Sequence, residues 1–387
     1  MSVNEILRRN GKRKLLALDG GGIRGTIAIE VLAEIESLLR QALGRDDRFV
    51  LADYFDYIAG TSTGAIIATC LSLGMSVDKI RDFYDENGEK MFERASIFKK
   101  HLYYLYEDKE LREILQTEFS EMKDKEQPYT LGTEHLKTLL LLVMRNVTTD
   151  SPWPVSNNPH AKYNDLNRTD CNLHLPLWQL VRASTAAPTF FPPEKATIGK
   201  QDFIFVDGGV TPYNNPAFQL FLMATVKPYN LNWSVGEDRM LLVSVGTGMT
   251  PNVYEDIRSI DMHKVYQAGS LPPALIFATQ NEQDFLCRVF GKCLVGDPLD
   301  REVGNLIYRQ DGIQNEKQGP VNPKLFTYLR YNAELTSEGM ERLGLSQIKP
   351  EQVQKMDSVE YISELKQIGK AIAQQQVKQD NFANFLT

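Results

Sequence analysis

The chain has 387 residues, 42% of them hydrophobic and 24% charged, with a formal net charge of −7. This is globular material for one large or two ordinary domains, and the acidic balance gives no reason to expect nucleic-acid binding. Four cysteines (Cys70, Cys171, Cys287 and Cys293) are widely spaced with no C-x-x-C pair, which argues against a disulfide scaffold or a zinc site and fits reduced thiols in a cytoplasmic protein.

Residues 1–14 read as a basic N-terminal arm, with Arg8, Arg9, Lys12, Arg13 and Lys14 close together. The ordinary expectation is a solvated arm, and the sharper one is a contact with anionic lipid headgroups. The apolar run behind these charges, Leu15 to Leu18, is too short for a signal-peptide core, so no signal peptide is expected. Leu15 to Leu18 is a strand that runs into Asp19-Gly20-Gly21-Gly22-Ile23-Arg24-Gly25. Ile27, Val31, Ile35, Leu38 and Ala42 then repeat at helical spacing up to Gly44. Gly20-x-Gly22-x-x-Gly25 has the spelling of a dinucleotide-binding turn. A loop of N–H groups at a helix N-terminus attracts any anion, whether a pyrophosphate or the transient oxyanion of acyl transfer. The acidic residue a dinucleotide site needs further on would be Asp46 or Asp47, and neither stands at a strand end.

Phe55 to Ala59 is a second strand, followed by Gly60-Thr61-Ser62-Thr63-Gly64 and a helix from Ala65 to Leu73 stopped by Gly74. Strand, G-x-S-x-G and helix in succession spell a nucleophile elbow, in which a strained turn lifts the Ser62 hydroxyl to the carboxyl edge of a sheet. Gly60 and Gly64 let the neighbouring backbone pack closely, and the helix dipole favours negative charge at Ser62. Ser76 caps a further helix carrying Val77, Ile80, Phe83 and Tyr84. The most apolar run, Leu139 to Met144, is too short to span a membrane and reads as a buried strand, so any membrane contact is peripheral. Alternating strands and helices predict an α/β fold with a mostly parallel sheet covered on both faces.

Thr148 to Cys171, rich in Asn, Pro, Thr and Asp, reads as a long ordered surface loop of the kind that is commonly functional, a lid for example. Leu177 to Ala183 is helical. Phe203 to Val206 is a strand ending in Asp207-Gly208-Gly209, and Leu241 to Val245 is another. Near the end, Tyr361, Leu365, Ile368 and Ile372 mark an amphipathic helix with Asp357 and Ser358 as cap candidates. It is expected to dock on the core; partner binding and lying on a membrane are the alternatives.

A nucleophilic Ser62 needs a base. None of the histidines (His101, His135, His160, His174 and His263) stands in a motif-like setting. Asp207, at the carboxyl end of a strand, is the better candidate, with a plain Asp-Gly hairpin turn as its bland alternative. A carboxylate held in contact and partly desolvated can take the serine proton directly. The oxyanion donors would then come from Gly21, Gly22, Ile23 and Arg24. A triad in the chain order Ser62, Asp207, His263 is the rival arrangement.

With these three elements in order, the chain resembles the patatin-like phospholipases, in their bacterial style. The motifs that carry the resemblance are Asp19 to Gly25, Gly60 to Gly64, and Asp207-Gly208-Gly209, supported by Ala183 to Pro188, Phe190 to Pro193, Asn214-Asn215-Pro216 and Ser244 to Gly248. Ala65 departs from the pattern, standing where many members have glycine. The resemblance implies a three-layer α/β/α fold with a catalytic core at 15–220; the remainder of the α/β core is expected at 221–335 and a C-terminal helical extension at 336–387. It implies a Ser62–Asp207 dyad without histidine, acting on phospholipids or related acyl lipids through an acyl-enzyme, with no metal or cofactor. Gly20, Gly25, Gly208 and Gly209 would support the site. Some bacterial members are gated by a nucleotide second messenger, which leaves a regulatory small molecule as a further expectation.

Overall fold

The computed structural model describes residues 2–91, 108–121, 126–250, 264–307 and 320–386. The strands are β1 Arg13–Leu18, β2 Tyr57–Thr61, β3 Leu139–Asn146, β4 Ser151–Ser156, β5 Glu194–Ile198, β6 Gln201–Asp207, β7 Met240–Val245, β8 Lys292–Val295 and β9 Thr327–Tyr331. The helices are α1 Val3–Arg8, α2 Gly25–Ala42, α3 Thr63–Ser72, α4 Val77–Met91, α5 Lys109–Glu118, α6 Leu177–Ser184, α7 Ala217–Thr225, α8 Lys264–Phe290, α9 Ser337–Arg342, α10 Pro350–Val353 and α11 Ile362–Gln376.

One sheet runs in the order β5-β6-β3-β2-β1-β7-β9-β8, with β4 on β3. From β3 through β8 all neighbours are parallel, while β4, β5 and β6 pair antiparallel. The layers follow from strand alternation. Leu16 and Leu18 of β1, with Leu140, Leu142 and Met144 of β3, pack into a core shared with residues of α2, α3, α4, α5, α6 and α11. The intervening Leu15, Ala17, Leu139, Leu141 and Val143 pack on the opposite face with residues of α1, α7 and α8. Both faces of the central strands are therefore covered, which explains their near-continuous apolar runs. The fold is the expected three-layer α/β/α arrangement.

Three expectations change. Arg13 and Lys14 are buried in β1, with Arg13 over the Trp233 ring at 4.3 Å and Lys14 over Tyr54 at 4.5 Å. Arg9 pairs with the buried Asp56. From Arg9 to Lys14 the basic stretch is thus a structural joint rather than a solvated arm, since Lys12, Arg13 and Lys14 lie over aromatic rings, while Arg8 stays exposed. Second, β4 lies inside the segment read as a loop. Its Pro152 and Pro154 obscured the strand, and they are tolerated because β4 pairs only with β3. The rest of that segment is tied to itself, Asn164 Nδ2 donating to the Ser156 and Asn158 carbonyls at 2.7 and 2.6 Å. Third, neither Asp357 nor Ser358 caps α11, whose N-cap is Tyr361 with no side-chain bond. Leu365, Ile368 and Ile372 are fully buried, and a Cβ on Gly369 would lie 2.6 Å from the Ile27 carbonyl of α2. This helix is docked on the core, and its apolar face is not available to a membrane. Among the described residues no helix is long and apolar enough to cross one. His101 and His263 lie outside the described residues.

Candidate active site

Two strands end tip to tip beside β3. β2 runs parallel to it and its last residue, Thr61, pairs with Val143. β6 runs antiparallel to it and its last residue, Asp207, pairs with Met144. β4 occupies the other edge from Leu141 to Asn146, so β2 and β6 share one edge and their carboxyl ends meet there.

Ser62 follows Thr61 with φ +55°, a backbone conformation that side chains other than glycine rarely adopt. The chain turns there directly into α3. A Cβ on Gly60 would lie 2.0 Å from the Gly64 carbonyl, and one on Gly64 would lie 2.3 Å from the Leu18 carbonyl, so both flanking positions require glycine. Ala65, the departure from the family pattern, is the third residue of α3 and fits there fully buried.

The Ser62 hydroxyl donates to Asp207 Oδ2 at 2.6 Å, and the Gly209 N–H donates to Asp207 Oδ1 at 2.7 Å. Gly208 and Gly209 form the short turn that follows the strand. Burial pushes the Asp207 carboxyl up to about 6, against the opposing pull of the Ser62 and Gly209 hydrogen bonds and the charge of Arg182. Behind the pair, Ser184 Oγ accepts the Ser62 N–H at 2.9 Å and donates to the Val143 carbonyl at 2.6 Å.

The glycine loop lies against the serine: a Cβ on Gly20 would be 3.1 Å from Ser62 Cβ. Gly20 is pinned through its own backbone, its N–H donating to the Asn214 carbonyl at 3.1 Å and its carbonyl accepting the Thr247 hydroxyl at 2.8 Å. The Ile23 N–H donates to the Met356 carbonyl at 2.9 Å and the Arg24 N–H to the Gly21 carbonyl at 3.3 Å. Among the described residues, that leaves the Gly21 and Gly22 N–H groups without a hydrogen-bond acceptor. Gly25 opens α2, packed against Thr63. Asp19, just before the loop, is buried and paired with Arg330 at 2.6 and 2.9 Å, with Gln280 donating to the same carboxylate.

A cavity of about 370 Å³ joins these groups. Gly21, Gly22, Arg24, Ser62 and Asp207 line its polar end, and Ile66, Tyr84, Met91, Leu111 and Phe191 form an apolar side. Ile23, Gly25, Gly60, Gly64 and Gly208 lie behind this surface, and no residue of 148–172 reaches it. Arg24 is buried, and burial pushes its guanidinium down to about 10, so it remains charged at neutral pH. Its hydrogen bonds go to carbonyls of Gly21 and Gln354 at 3.5 and 3.1 Å; among the described residues it has no carboxylate in contact. The dinucleotide reading loses its acidic partner: Asp46 and Asp47 are ion-paired with Arg48 and Arg40. They lie beyond the far end of α2, roughly 27 Å from the loop.

Sequence reasoning missed the residues that brace this centre. Ser184, Asn214 and Thr247 stand within stretches that carried the resemblance, but nothing in their spacing gave them a task. Met356 and Arg330 had no signal at all. Together the groups supply a hydroxyl, a carboxylate in contact with it and two free donors beside them, which are the parts of an acyl-transfer centre.

The family model described as patatin-like phospholipase matches residues 16–221. An intracellular phospholipase A2 of Caenorhabditis elegans is 30% identical over 271 residues, covering 67% of this chain and 22% of that protein. Patatin-T5 of Solanum tuberosum is 30% identical over 254 residues, covering 61% of this chain and 60% of that protein. A cGAMP-activated phospholipase of Vibrio cholerae is 29% identical over 215 residues, covering 53% of this chain and 56% of that protein. The chain thus spans less than two thirds of the length of each of these relatives.

Proposed function

The chain belongs to the patatin-like phospholipase family, and from that premise we propose that it is a phospholipase A-type lipid acyl hydrolase that works through a Ser62–Asp207 dyad. The observation that carries this reading is the 2.6 Å contact between Ser62 Oγ and a buried Asp207 at the polar end of a cavity with an apolar side. Ser62 Oγ attacks the acyl carbonyl carbon as its proton passes to Asp207 Oδ2. A carboxyl raised to about 6 is a better base than an ordinary carboxylate, yet is still ionised at neutral pH. The tetrahedral oxyanion takes the free Gly21 and Gly22 N–H groups; one such donor is worth about 3–4 kcal/mol in the transition state. The carbon–oxygen bond to the glycerol then breaks, and the leaving alkoxide takes the proton from Asp207. Water attacks the acyl-Ser62 ester, Asp207 accepting its proton and returning it to Ser62 as the fatty acid departs. No imidazole is needed in this cycle.

Arg24 supports a phospholipid over a neutral ester. A buried cation that lines the cavity and, among the described residues, has no carboxylate in contact is matched by an anionic group of the substrate. The lipid would be met at a membrane surface from the cytoplasm. Labelling by a fluorophosphonate tests the nucleophile: the native enzyme is expected to label and Ser62→Ala is not. The triad with His263 is decided by His263→Ala, which is expected to keep its activity; a fall to the level of Ser62→Ala would replace the dyad by the triad.

One observation favours a second reading, the similarity to the cGAMP-activated phospholipase of Vibrio cholerae. In that reading the same dyad is silent until a cyclic dinucleotide binds, as suits a membrane-degrading effector in bacterial defence. Assays with and without cGAMP separate the two, because a constitutive enzyme shows the same rate in both.

A further inference from the structure

The residues matched by the family end at position 221, yet the glycine loop at the centre of the site is held by a segment more than a hundred residues later in the chain. Gln354 follows α10, and its side-chain Nε2 donates to the Leu335 carbonyl at 2.7 Å, fixing the segment beside the end of β9. From there the Gln354 carbonyl accepts Arg24 Nη1 at 3.1 Å, and the Met356 carbonyl accepts the Ile23 N–H at 2.9 Å. The fit is close: a Cβ on Gly22, which has φ +61°, would lie 2.2 Å from the Met356 carbonyl oxygen. Met356 also lines the cavity, facing the same space as Ser62.

We propose that Gln354–Met356 is a positioning element of the active site, whose carbonyls orient the glycine loop and whose Met356 side chain forms a wall that selects among acyl chains. The loop carries successive N–H donors at Gly20, Gly21, Gly22, Ile23 and Arg24, and a loop that presented them indiscriminately would have no fixed orientation. Asn214 takes the first, Gly21 the last and Met356 that of Ile23, so among the described residues Gly21 and Gly22 remain for a substrate oxygen. Removing the Met356 acceptor frees the loop to rotate about Gly22. A transition state that depends on donors placed to within a fraction of an ångström is sensitive to that freedom, whereas substrate binding in the apolar part of the cavity is not. Because Ala, Ser or any larger residue at position 22 would strike the Met356 carbonyl, the loop and the segment form a matched pair.

The proposal rests on the acyl-transfer reading of Ser62, and its test separates the two. Gln354→Ala removes the strut to Leu335 without touching the cavity or Asp207. It is expected to lower kcat on a short-chain ester by roughly ten- to a hundredfold, with KM and the acid limb of the pH profile unmoved. Met356→Ala is expected to change the ratio of long-chain to short-chain kcat/KM by more than about fivefold, the scale of one or two methylenes in a hydrophobic pocket. A folded Gln354→Ala with native kcat would overturn the positioning role, and an unchanged ratio in Met356→Ala would overturn the selecting wall. If Gln354→Ala does not fold, hydrogen exchange on the native enzyme decides. The Ile23 amide is expected to be protected while those of Gly21 and Gly22 exchange quickly, and then to slow on phosphonylation of Ser62. Equally fast exchange at Ile23 contradicts the proposal. Absence of any Ser62-dependent hydrolysis in the native enzyme instead removes the acyl-transfer reading beneath it.

Discussion

Thr61 and Asp207 pair with consecutive residues of one strand, Val143 and Met144. Ser62, one residue beyond Thr61, and the carboxylate it touches, Asp207, are therefore spaced by the backbone of β3 and not by a loop. The separation is set by sheet geometry, which is among the stiffest features a fold offers. The junction leaves the Val143 carbonyl to Ser184 Oγ, which in turn accepts the Ser62 N–H.

That bridge yields the first expectation. Ser184→Ala leaves a buried carbonyl and the elbow N–H without their partner, which costs about 1–3 kcal/mol of stability. Loss of the elbow's anchor is expected to lower kcat by about tenfold. Thermal melts and steady-state kinetics check both; native kcat in the variant would show that the elbow needs no such anchor.

On the proposed dyad, the acid limb of the pH profile belongs to Asp207. With the carboxyl at about 6 in the folded enzyme, kcat/KM is expected to rise tenfold per pH unit below that value and to level above it. A limb near 4 would mean that burial does not govern the base.

The same carboxyl burdens the fold. Unfolded, it ionises near 4; folded, it does so at about 6. Between these values the folded state holds more protons, so stability falls as pH rises through the window and stays lower above it. Asp207→Asn keeps an acceptor for Gly209 and removes the ionisation. It is expected to be inactive, and at pH 8 more stable than the native enzyme by about 2–3 kcal/mol. The difference should vanish near pH 4; a variant no more stable at pH 8 would contradict the sign.

Ser62 is held at φ +55°, which on the proposed mechanism presents its hydroxyl to the substrate. Ser62→Gly relieves that strain and is expected to gain about 1 kcal/mol while losing hydrolysis altogether. A fall in Tm would show the elbow to be unstrained.

Arg24→Gln separates charge recognition from chemistry. Charge-assisted bonds to a phosphate are worth about 1.5–3 kcal/mol, so kcat/KM on a phospholipid is expected to fall roughly ten- to a hundredfold further than on a neutral diacylglycerol. Equal losses on both would leave Arg24 as a brace only.

How much of this was legible in the sequence depends on how local each feature is. The strand–turn–helix at Ser62 and the strand end at Asp207 are written in adjacent residues, and glycine at 60 is demanded by a contact within the elbow, while glycine at 64 is demanded by the Leu18 carbonyl of β1. The pairing of the two was not legible from spacing, since it depends on β6 turning antiparallel against β3. β4 was hidden by Pro152 and Pro154, which break the propensity rule and are permitted only by its place on the sheet. The basic stretch from Arg8 to Lys14 misled because charge patterning says nothing about which aromatic rings the fold will bring to Arg13 and Lys14. The narrowing of the loop's donors to Gly21 and Gly22 depends on a carbonyl at Met356, and no local pattern announces a partner at that remove.

The most direct measurement is product analysis on mixed phospholipid vesicles with the native enzyme, Ser62→Ala and Asp207→Asn side by side. Free fatty acid and lysophospholipid are expected from the native enzyme and neither from the two variants. Intact lipid with the native enzyme, in the presence and absence of cGAMP, or fatty acid released by either variant, would contradict this expectation.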